Sequence, residues 1–547
     1  MFSLGMISFG LLSSLGSTAY ALEDDFTFDL EGYYRMRGYS FSNLYADQDD
    51  PGRFIAQRLR LQPQLNYQDM AKFIMMADVI DDVVWGDNAS LASTSLFAGD
   101  PSNTGMTGTG STINIKRAWM EFDVILGKMR VGRMESHWGL GLLANHGNGF
   151  DDTFGENHTG ATFDRIMFAT KPIAVAQTIL GKKPADIPFF MGYAFDRLVE
   201  DPLIQHKGYT CESGIAAGEP DFDERCDSND DGLTDLEHGY TDESRTEESR
   251  KSDWAFDNAD DVTEHVFFGI YSGKKRPMFG SVGDLTAGFY AINRMQQETS
   301  SNVWIYDAYL SFLWKGLYLE GEWLTIQGQS SAISLPGAYD PTSESDDPLK
   351  KDVDITGYVG RIGYKQHDWS LVLETGYASG DENVADGLFT GRPLSPDFNV
   401  GLIIYDQVLA NASANSWGES ASALWSQGSV YNSRYLHPVI RYSPIPNWEL
   451  IAGYLHVWPD RPDGAIIQCA EGDTLNGEPL DCAQYGATAK DIGWEVDLAL
   501  KARIHKHILF SLEGGFARVT DRIKLGNVGL NEEGSFSTLQ TRFAYEF

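Results

Sequence analysis

Residues able to bind a cation are concentrated in one acidic stretch near the middle of the chain. Carboxylate and amide side chains recur there at alternate positions around a glycine: Asp227-Ser-Asn229-Asp-Asp231-Gly232-Leu-Thr-Asp235-Leu-Glu237-His238. This spacing is typical of a calcium loop, in which oxygen ligands surround the ion and a glycine at position six allows the sharp turn. Position twelve, a bidentate glutamate in EF-hand loops, is His238 here. The candidate calcium ligands are Asp227, Asn229, Asp231, Leu233, Asp235 and Glu237; the alternative is a solvated acidic loop.

The four cysteines form two local pairs in polar regions, Cys211 with Cys226 and Cys469 with Cys482. In an oxidising compartment we expect disulfides within each pair, although four cysteines allow three connectivities. Cys226 directly precedes Asp227, so a disulfide to Cys211 would help to hold the start of the calcium loop. The surrounding segment from Glu200 to Asp261 contains 20 acidic and 5 basic residues, a composition typical of an exposed loop.

Other kinds of chemistry have little support in the sequence. A second cluster of residues that can bind a metal lies in 135–160 and consists of His137, His146, Asp151, Asp152 and His158. Its spacing matches no standard metal site, and the alternative is that this segment packs at the mouth of a barrel. No catalytic Ser/His/Asp spacing, phosphate loop or haem motif is visible, and we expect no enzyme. The formal net charge of −36 argues against nucleic-acid binding.

The first 21 residues have the features of a secretory signal peptide. They are small and apolar, and Ala19-Tyr-Ala21 fits the small-x-small cleavage rule. The segment lacks the usual Lys or Arg, and a membrane anchor is the alternative. No later apolar run approaches the roughly 20 residues that a membrane-spanning helix needs.

The remaining chain shows hydrophobic alternation of period two. Phe26, Phe28 and Leu30 alternate with polar residues, and the last strand alternates in the same way to its final aromatic, Phe547. The opposite face of the early strands carries arginines, which cannot line the apolar interior of a soluble sandwich. Strands with an apolar outer face and a charged inner face are typical of a transmembrane barrel with a wet lumen.

About eighteen such strands can be counted, joined alternately by short turns and long loops. We therefore predict an all-β fold, a transmembrane antiparallel β-barrel with long extracellular loops. Residues 1–21 are the signal peptide, 22–547 the barrel, and 198–262 an acidic extracellular loop within it. The predicted pore-lining residues are Arg35, Arg37, Arg58, Arg60, Lys72, Arg117, Glu121, Asp307, Glu320, Glu322, Arg361, Glu374, Asp497 and Arg542.

Several short motifs resemble those of outer-membrane porin-type barrels, and among these the alginate-export-like family. The internal motifs are Lys116-Arg-Ala-Trp-Met-Glu-Phe122, Met129-Arg-Val-Gly-Arg133, Glu374-Thr-Gly-Tyr-Ala-Ser-Gly-Asp381, Asn399-Val-Gly-Leu-Ile403 and Gly493-Trp-Glu-Val-Asp497. The closing Phe543-Ala-Tyr-Glu-Phe547 resembles the signal read by the barrel-assembly machinery. The resemblance implies a single-chain pore for a polysaccharide or small solute. An alginate exporter implies a strongly cationic lumen, whereas the predicted lumen here has mixed charge.

The expected function is a channel in the bacterial outer membrane, surrounded by lipid, for a hydrophilic solute or polysaccharide. The segment 399–409 is too apolar for a free surface loop and is expected to fold into the lumen as a constriction, or to pack at the rim. The alternative is a structural or surface-interaction barrel with a closed lumen and a calcium-stabilised loop that binds a surface or periplasmic protein. Planar-bilayer conductance distinguishes the two.

Overall fold

The computed structural model describes residues 26–44, 52–68, 70–85, 114–147, 150, 152–156, 160–198, 208–210, 238–240, 262–297, 299–331, 350–381, 387–414, 426–461, 474–475, 478–479, 490–520 and 530–547. Eighteen antiparallel strands of 9 to 17 residues form a closed barrel, which confirms the predicted fold class. In chain order the strands are β1 (Phe26–Ser42), β2 (Gly52–Tyr67), β3 (Ala71–Val84), β4 (Asn114–Val124), β5 (Gly127–Glu135), β6 (Thr162–Thr170), β7 (Phe189–Leu198), β8 (Thr263–Met278), β9 (Ser281–Gln296), β10 (Ser301–Trp314), β11 (Leu317–Ser330), β12 (Lys351–Lys365), β13 (Trp369–Ala378), β14 (Ser433–Ile445), β15 (Trp448–Pro459), β16 (Gly493–His505), β17 (Ile508–Val519) and β18 (Ser535–Glu546).

Shorter elements lie in the connections. They are α1 (Pro172–Ile179), a π-helical turn (Ile404–Leu409) that continues into α2 (Ala410–Ala414), two small hairpins (Gly208–Thr210 with His238–Tyr240 and Thr474–Leu475 with Glu478–Pro479), and Leu388–Phe389, which pairs in parallel with β12. No helix in the described part of the chain is both long and apolar enough to cross a membrane.

The barrel closes between its first and last strands. Each strand pairs with its neighbours in the chain, and β1 also pairs with β18, so that Arg37 lies opposite Arg542. Closure extends to the last residue, where Phe547 and Gly32 exchange two backbone hydrogen bonds of 3.0 and 3.2 Å. A closed sheet leaves no strand edge to be satisfied by water or by another chain.

The two faces of the wall differ as the period-two pattern predicts. Apolar side chains such as Phe267, Leu498 and Phe543 are exposed on the outside. Their neighbours in sequence, such as Asp497 and Arg542, face inward and are buried. The outer surface is therefore an apolar band, and the charged groups of the strands are gathered inside.

The two rims also differ. At one rim most strands are joined by tight turns, as at 125–126, 279–280 and 315–316, whereas the strand ends that border 85–113, 199–262 and 460–492 all lie at the other. The exception at the short-turn rim is the connection between β6 and β7, which contains α1. Pro172 occupies the first turn of α1, where its fixed φ favours a helix and its missing N–H costs nothing.

Candidate functional site in the barrel lumen

The described residues of the connection between β5 and β6, namely 136–147, 150, 152–156 and 160–161, enter the lumen and are called here the first infolded segment. The indole Nε1 of Trp138 donates to Asp307 Oδ1 of β10 at 2.9 Å, and the indole stacks on Tyr290 with ring centroids 5.2 Å apart. Next along the segment, the backbone N–H groups of Leu140 and Leu142 donate to the carboxylate of Glu322 on β11. The segment is thus hydrogen-bonded to wall carboxylates on adjacent strands.

Further along, the same segment reaches the opposite side of the lumen and contacts a group of arginines. Glu156 is buried and forms ion pairs with Arg35, with Arg37 at 3.5 Å and with Arg542 at 3.3 Å. The preceding Gly155 N–H donates to Glu513 Oε2 of β17 at 2.9 Å. One carboxylate therefore partly neutralises three guanidinium groups that the wall directs to one point.

Residues 387–414 and 426–432, between β13 and β14, are called here the second infolded segment. The carboxylate of Glu495 on β16 accepts hydrogen bonds from three successive backbone N–H groups, those of Leu402, Ile403 and Ile404, at 2.6, 2.8 and 2.8 Å. Gly401 precedes them with a φ of +75°, a conformation that favours glycine. A Cβ at this position would also lie 3.1 Å from Glu495 Oε1.

The second infolded segment packs as a small core inside the barrel. Ile404, Tyr405 and Val408 are fully buried and belong to one apolar cluster with inward-facing wall residues such as Leu455 and Val457. Burial raises the pKa of the Tyr405 phenol well above its usual range, so the group stays protonated. Its hydroxyl is hydrogen-bonded to Ser433 Oγ at 2.9 Å. The apolar character of this segment is explained by burial within the lumen.

The two infolded segments also contact each other. Ser395 N donates to Leu142 O at 2.7 Å, and Gly160 N donates to Asp397 Oδ2 at 2.8 Å. Asn145 Nδ2 donates to Asp397 O at 3.2 Å. The segments therefore form one joined insert that narrows the lumen.

The charged groups of the lumen are unevenly distributed around the wall. Six buried arginines occupy the sector from β18 through β4, namely Arg35, Arg37, Arg58, Arg60, Arg117 and Arg542. In a closed barrel of eighteen strands, the sector opposite β1–β4 is β10–β13. That sector carries inward carboxylates at Asp307, Glu320, Glu322 and Glu374. Opposite charges on facing walls direct an electric field across the lumen.

Ion pairs hold individual charges in each sector. Arg60 binds Asp78 through two hydrogen bonds of 2.6 and 2.8 Å. On the acidic side Arg361 bridges Glu374 at 2.5 Å and Glu320 at 3.1 Å. Such planar, two-point contacts fix the orientation of a guanidinium group better than a single contact does.

The structure places the predicted pore-lining residues on the inner face, but in different surroundings. Glu121 is bound by Lys128 and Arg130 at 2.6 Å each. Lys72 lies opposite Glu121 in the strand register and is exposed. Asp497 is fully buried, and its carboxylate lies beside that of Glu495. Several of the others contact the infolded segments, so their contact with water in a pore stays a prediction.

Some predicted sites lie outside the described residues. These are the signal peptide 1–21, the calcium ligands Asp227, Asn229, Asp231, Leu233, Asp235 and Glu237, and the cysteines Cys211, Cys226, Cys469 and Cys482. Two members of the 135–160 cluster, Asp151 and His158, also lie outside the described residues, and the rings of His137 and His146 stack with centroids 4.2 Å apart.

Sequence reasoning missed the residues that hold the insert in place, chiefly Glu156, Glu513, Asp397 and Trp138. They lie in glycine-rich or irregular stretches, or on a strand face shared with many other charges, and their partners are distant in sequence. Glu156 is 121 residues from Arg35. The apolar run at 399–409 was the one available signal, and it correctly indicated an infolded segment.

No protein-family model matches the chain, and no curated protein matches it. The chain is similar to solved structures from Pseudomonas aeruginosa. These include OccK11 (OpdR), with a TM-score of 0.45, 10% identity and coverage of 95% of this chain and 96% of that chain. OccK2 (OpdF), solved in complex with glucuronate, has a TM-score of 0.45 and 9% identity, with coverage of 95% of this chain and 98% of that chain. The outer membrane protein opdK has a TM-score of 0.44 and 10% identity, with coverage of 95% of this chain and 98% of that chain.

Proposed function

We propose that this protein is a bacterial outer-membrane channel for hydrophilic solutes. The observation that carries the proposal is the inversion of polarity across a closed wall. Large apolar side chains such as Leu498 and Phe543 are exposed outside, while Arg35 and Glu495 are buried inside. A soluble protein gains nothing from this arrangement, whereas a barrel in lipid requires it. Barrels of 16 to 18 strands are wide enough to enclose an aqueous path.

The joined insert gives the channel its size limit. It is bound to the wall at Asp307, Glu322, Glu495 and Glu513, on four different strands. Charged side chains of the inner face that stay accessible, such as Lys72 and Arg361, would contact a hydrophilic solute, whereas an apolar solute would find few partners.

A liposome-swelling assay tests this function. Proteoliposomes containing the purified protein should swell in small neutral or charged sugars, at rates that fall steeply as solute size increases. Liposomes reconstituted with heat-denatured protein are the control. Equal swelling rates in both preparations would remove the channel proposal.

The finer assignment to an alginate exporter has support on one side of the lumen only. The six arginines of one sector would attract a polyanionic chain through their charge although they are buried, but the carboxylates of β10–β13 would repel it. A path for mixed or neutral solutes therefore fits the wall better than a uniformly cationic path.

A closed barrel that binds a protein partner is the second candidate, and the packed insert favours it. In that case the acidic loop 198–262, with its calcium motif and disulfides, would be the binding element. Millimolar calcium should then slow proteolysis within 198–262, and Asp231→Asn should abolish the effect. Unchanged cleavage would remove the calcium site without affecting the channel. Delivery to the membrane by the signal peptide and recognition of Phe547 by the barrel-assembly machinery also stay predictions.

A further inference from the structure

Two connections lie side by side at the short-turn rim, α1 with the residues that follow it and the turn between β8 and β9. Ser272 N of β8 donates to Pro188 O, directly before the start of β7, at 2.9 Å. Arg276 Nη2 donates to the backbone oxygen and to the carboxylate of Asp186 at 3.0 and 3.2 Å. The two connections therefore form one surface, called here the rim patch.

The rim patch exposes large apolar side chains. Ile179 and Leu180 at the end of α1 are 74% and 69% exposed, and no residue of α1 is buried. Phe279 in the neighbouring turn is 80% exposed. These groups continue the outer apolar band, because Ile187 and Met191 are also exposed along the outward-facing line of β7.

The rim patch is also basic, although the protein carries a formal charge of −36. Lys182 and Lys183 follow α1, and Lys274 and Lys275 lie at a register shift near the end of β8. All four are exposed, and within the described residues none has an acidic side chain within ion-pair distance. Among the described basic residues of the patch, Arg276 alone forms an ion pair, with Asp186.

From this combination we infer that the rim patch binds anionic phospholipids in the leaflet at the short-turn rim. Exposed apolar side chains beside lysines are what a membrane-surface element presents, with the apolar groups among acyl chains and the ammonium groups at the phosphates. A soluble anion would be attracted by the lysines but would leave Ile179, Leu180 and Phe279 in water. The inference rests on the proposed membrane location of the barrel.

Native mass spectrometry of the full-length protein in detergent tests the inference, with phosphatidylglycerol and phosphatidylcholine as probes. We expect preferential binding of phosphatidylglycerol. Each lysine near an anionic surface contributes about fivefold in affinity, so Lys182→Glu/Lys274→Glu should weaken phosphatidylglycerol binding about 25-fold or more. The matched control is Lys315→Glu/Lys506→Glu, which makes the same charge change at exposed positions in other turns of this rim.

A second variant separates a lipid from a soluble anion. Leu180→Ser should weaken phosphatidylglycerol binding, and soluble glycerol phosphate should not displace the lipid. Displacement by glycerol phosphate, equal loss in the control variant, or binding unchanged in Lys182→Glu/Lys274→Glu would overturn the inference. A protein dimer that dissociates when the lysines are substituted would also overturn the inference, because the rim patch would then bind a second copy of the chain and not a lipid. Steady conductance in pure phosphatidylcholine bilayers would leave the channel proposal intact in each of these cases.

Discussion

Asn399 donates a hydrogen bond from Nδ2 to Asp152 Oδ2 at 3.1 Å, although the two residues are 247 positions apart. The first belongs to the second infolded segment and the second to the first. With the contact between Ser395 and Leu142, this bond makes the two connections a single insert within the barrel. In the proposed channel, the diameter of the open path would then depend on how firmly this insert is held.

The attachment of the second infolded segment to Glu495 should control the width of the channel. Glu495→Ala leaves three buried N–H groups without their acceptor, and each such group costs about 1–3 kcal/mol. We expect the second infolded segment to detach from β16 and the single-channel conductance to increase. The conductance of Glu495→Gln, which keeps an acceptor oxygen, should lie between that of the wild type and that of the alanine variant. A conductance for Glu495→Ala equal to that of the wild type would show that this contact does not set the bore.

Removal of the charge at Glu156 should change ion selectivity. Glu156→Gln leaves the guanidinium groups of Arg35, Arg37 and Arg542 without their shared carboxylate. The lumen becomes more positive, so the reversal potential in a KCl gradient should shift toward anion permeation. Glu532→Gln, an exposed change of the same charge in the β17–β18 connection, is the control.

The selectivity change should also depend on salt. The Debye length is about 10 Å at 0.1 M and about 3 Å at 1 M, so the shift should be smaller at high ionic strength. The loss of a buried ion-pair partner should in addition destabilise the barrel by about 3–5 kcal/mol. An unchanged reversal potential at low salt would mean that permeating ions do not pass this cluster.

The outer apolar band should tolerate charge only near its edges. Leu498 lies within β16 and is 60% exposed, and Ile504, next to the end of the same strand, is 59% exposed. An arginine on the lipid face costs about 2–4 kcal/mol at the bilayer midplane and about 0–1 kcal/mol near the interface. Urea unfolding in lipid vesicles should therefore show a large loss for Leu498→Arg and a small one for Ile504→Arg. Equal losses would mean that depth in a bilayer does not govern this surface.

The faces of the strands could be read from the sequence because the rule that decides them is local. Arg542 and Phe543 are adjacent and must point to opposite sides of the wall, and only a wet interior accepts the arginine. The number of strands and the asymmetry of the rims follow from counting the same pattern.

The insert could not be predicted in the same way, because its contacts are between residues far apart in the chain. Glu495 lies in the short motif Gly493–Asp497, and nothing in its sequence neighbourhood indicates that it accepts the N–H groups of Leu402 to Ile404. α1 was also missed. Its residues Ile173, Val175 and Ile179 are β-branched, so the helical signal of Pro172 was outweighed by a strand-like composition.

The recording of single channels in a planar bilayer tests the central claim most directly. The purified, folded protein should give steady unitary currents in symmetric salt, and the current should increase when Glu495→Ala releases the second infolded segment. A barrel that inserts into the bilayer but stays silent, both as the wild type and as Glu495→Ala, would contradict the account.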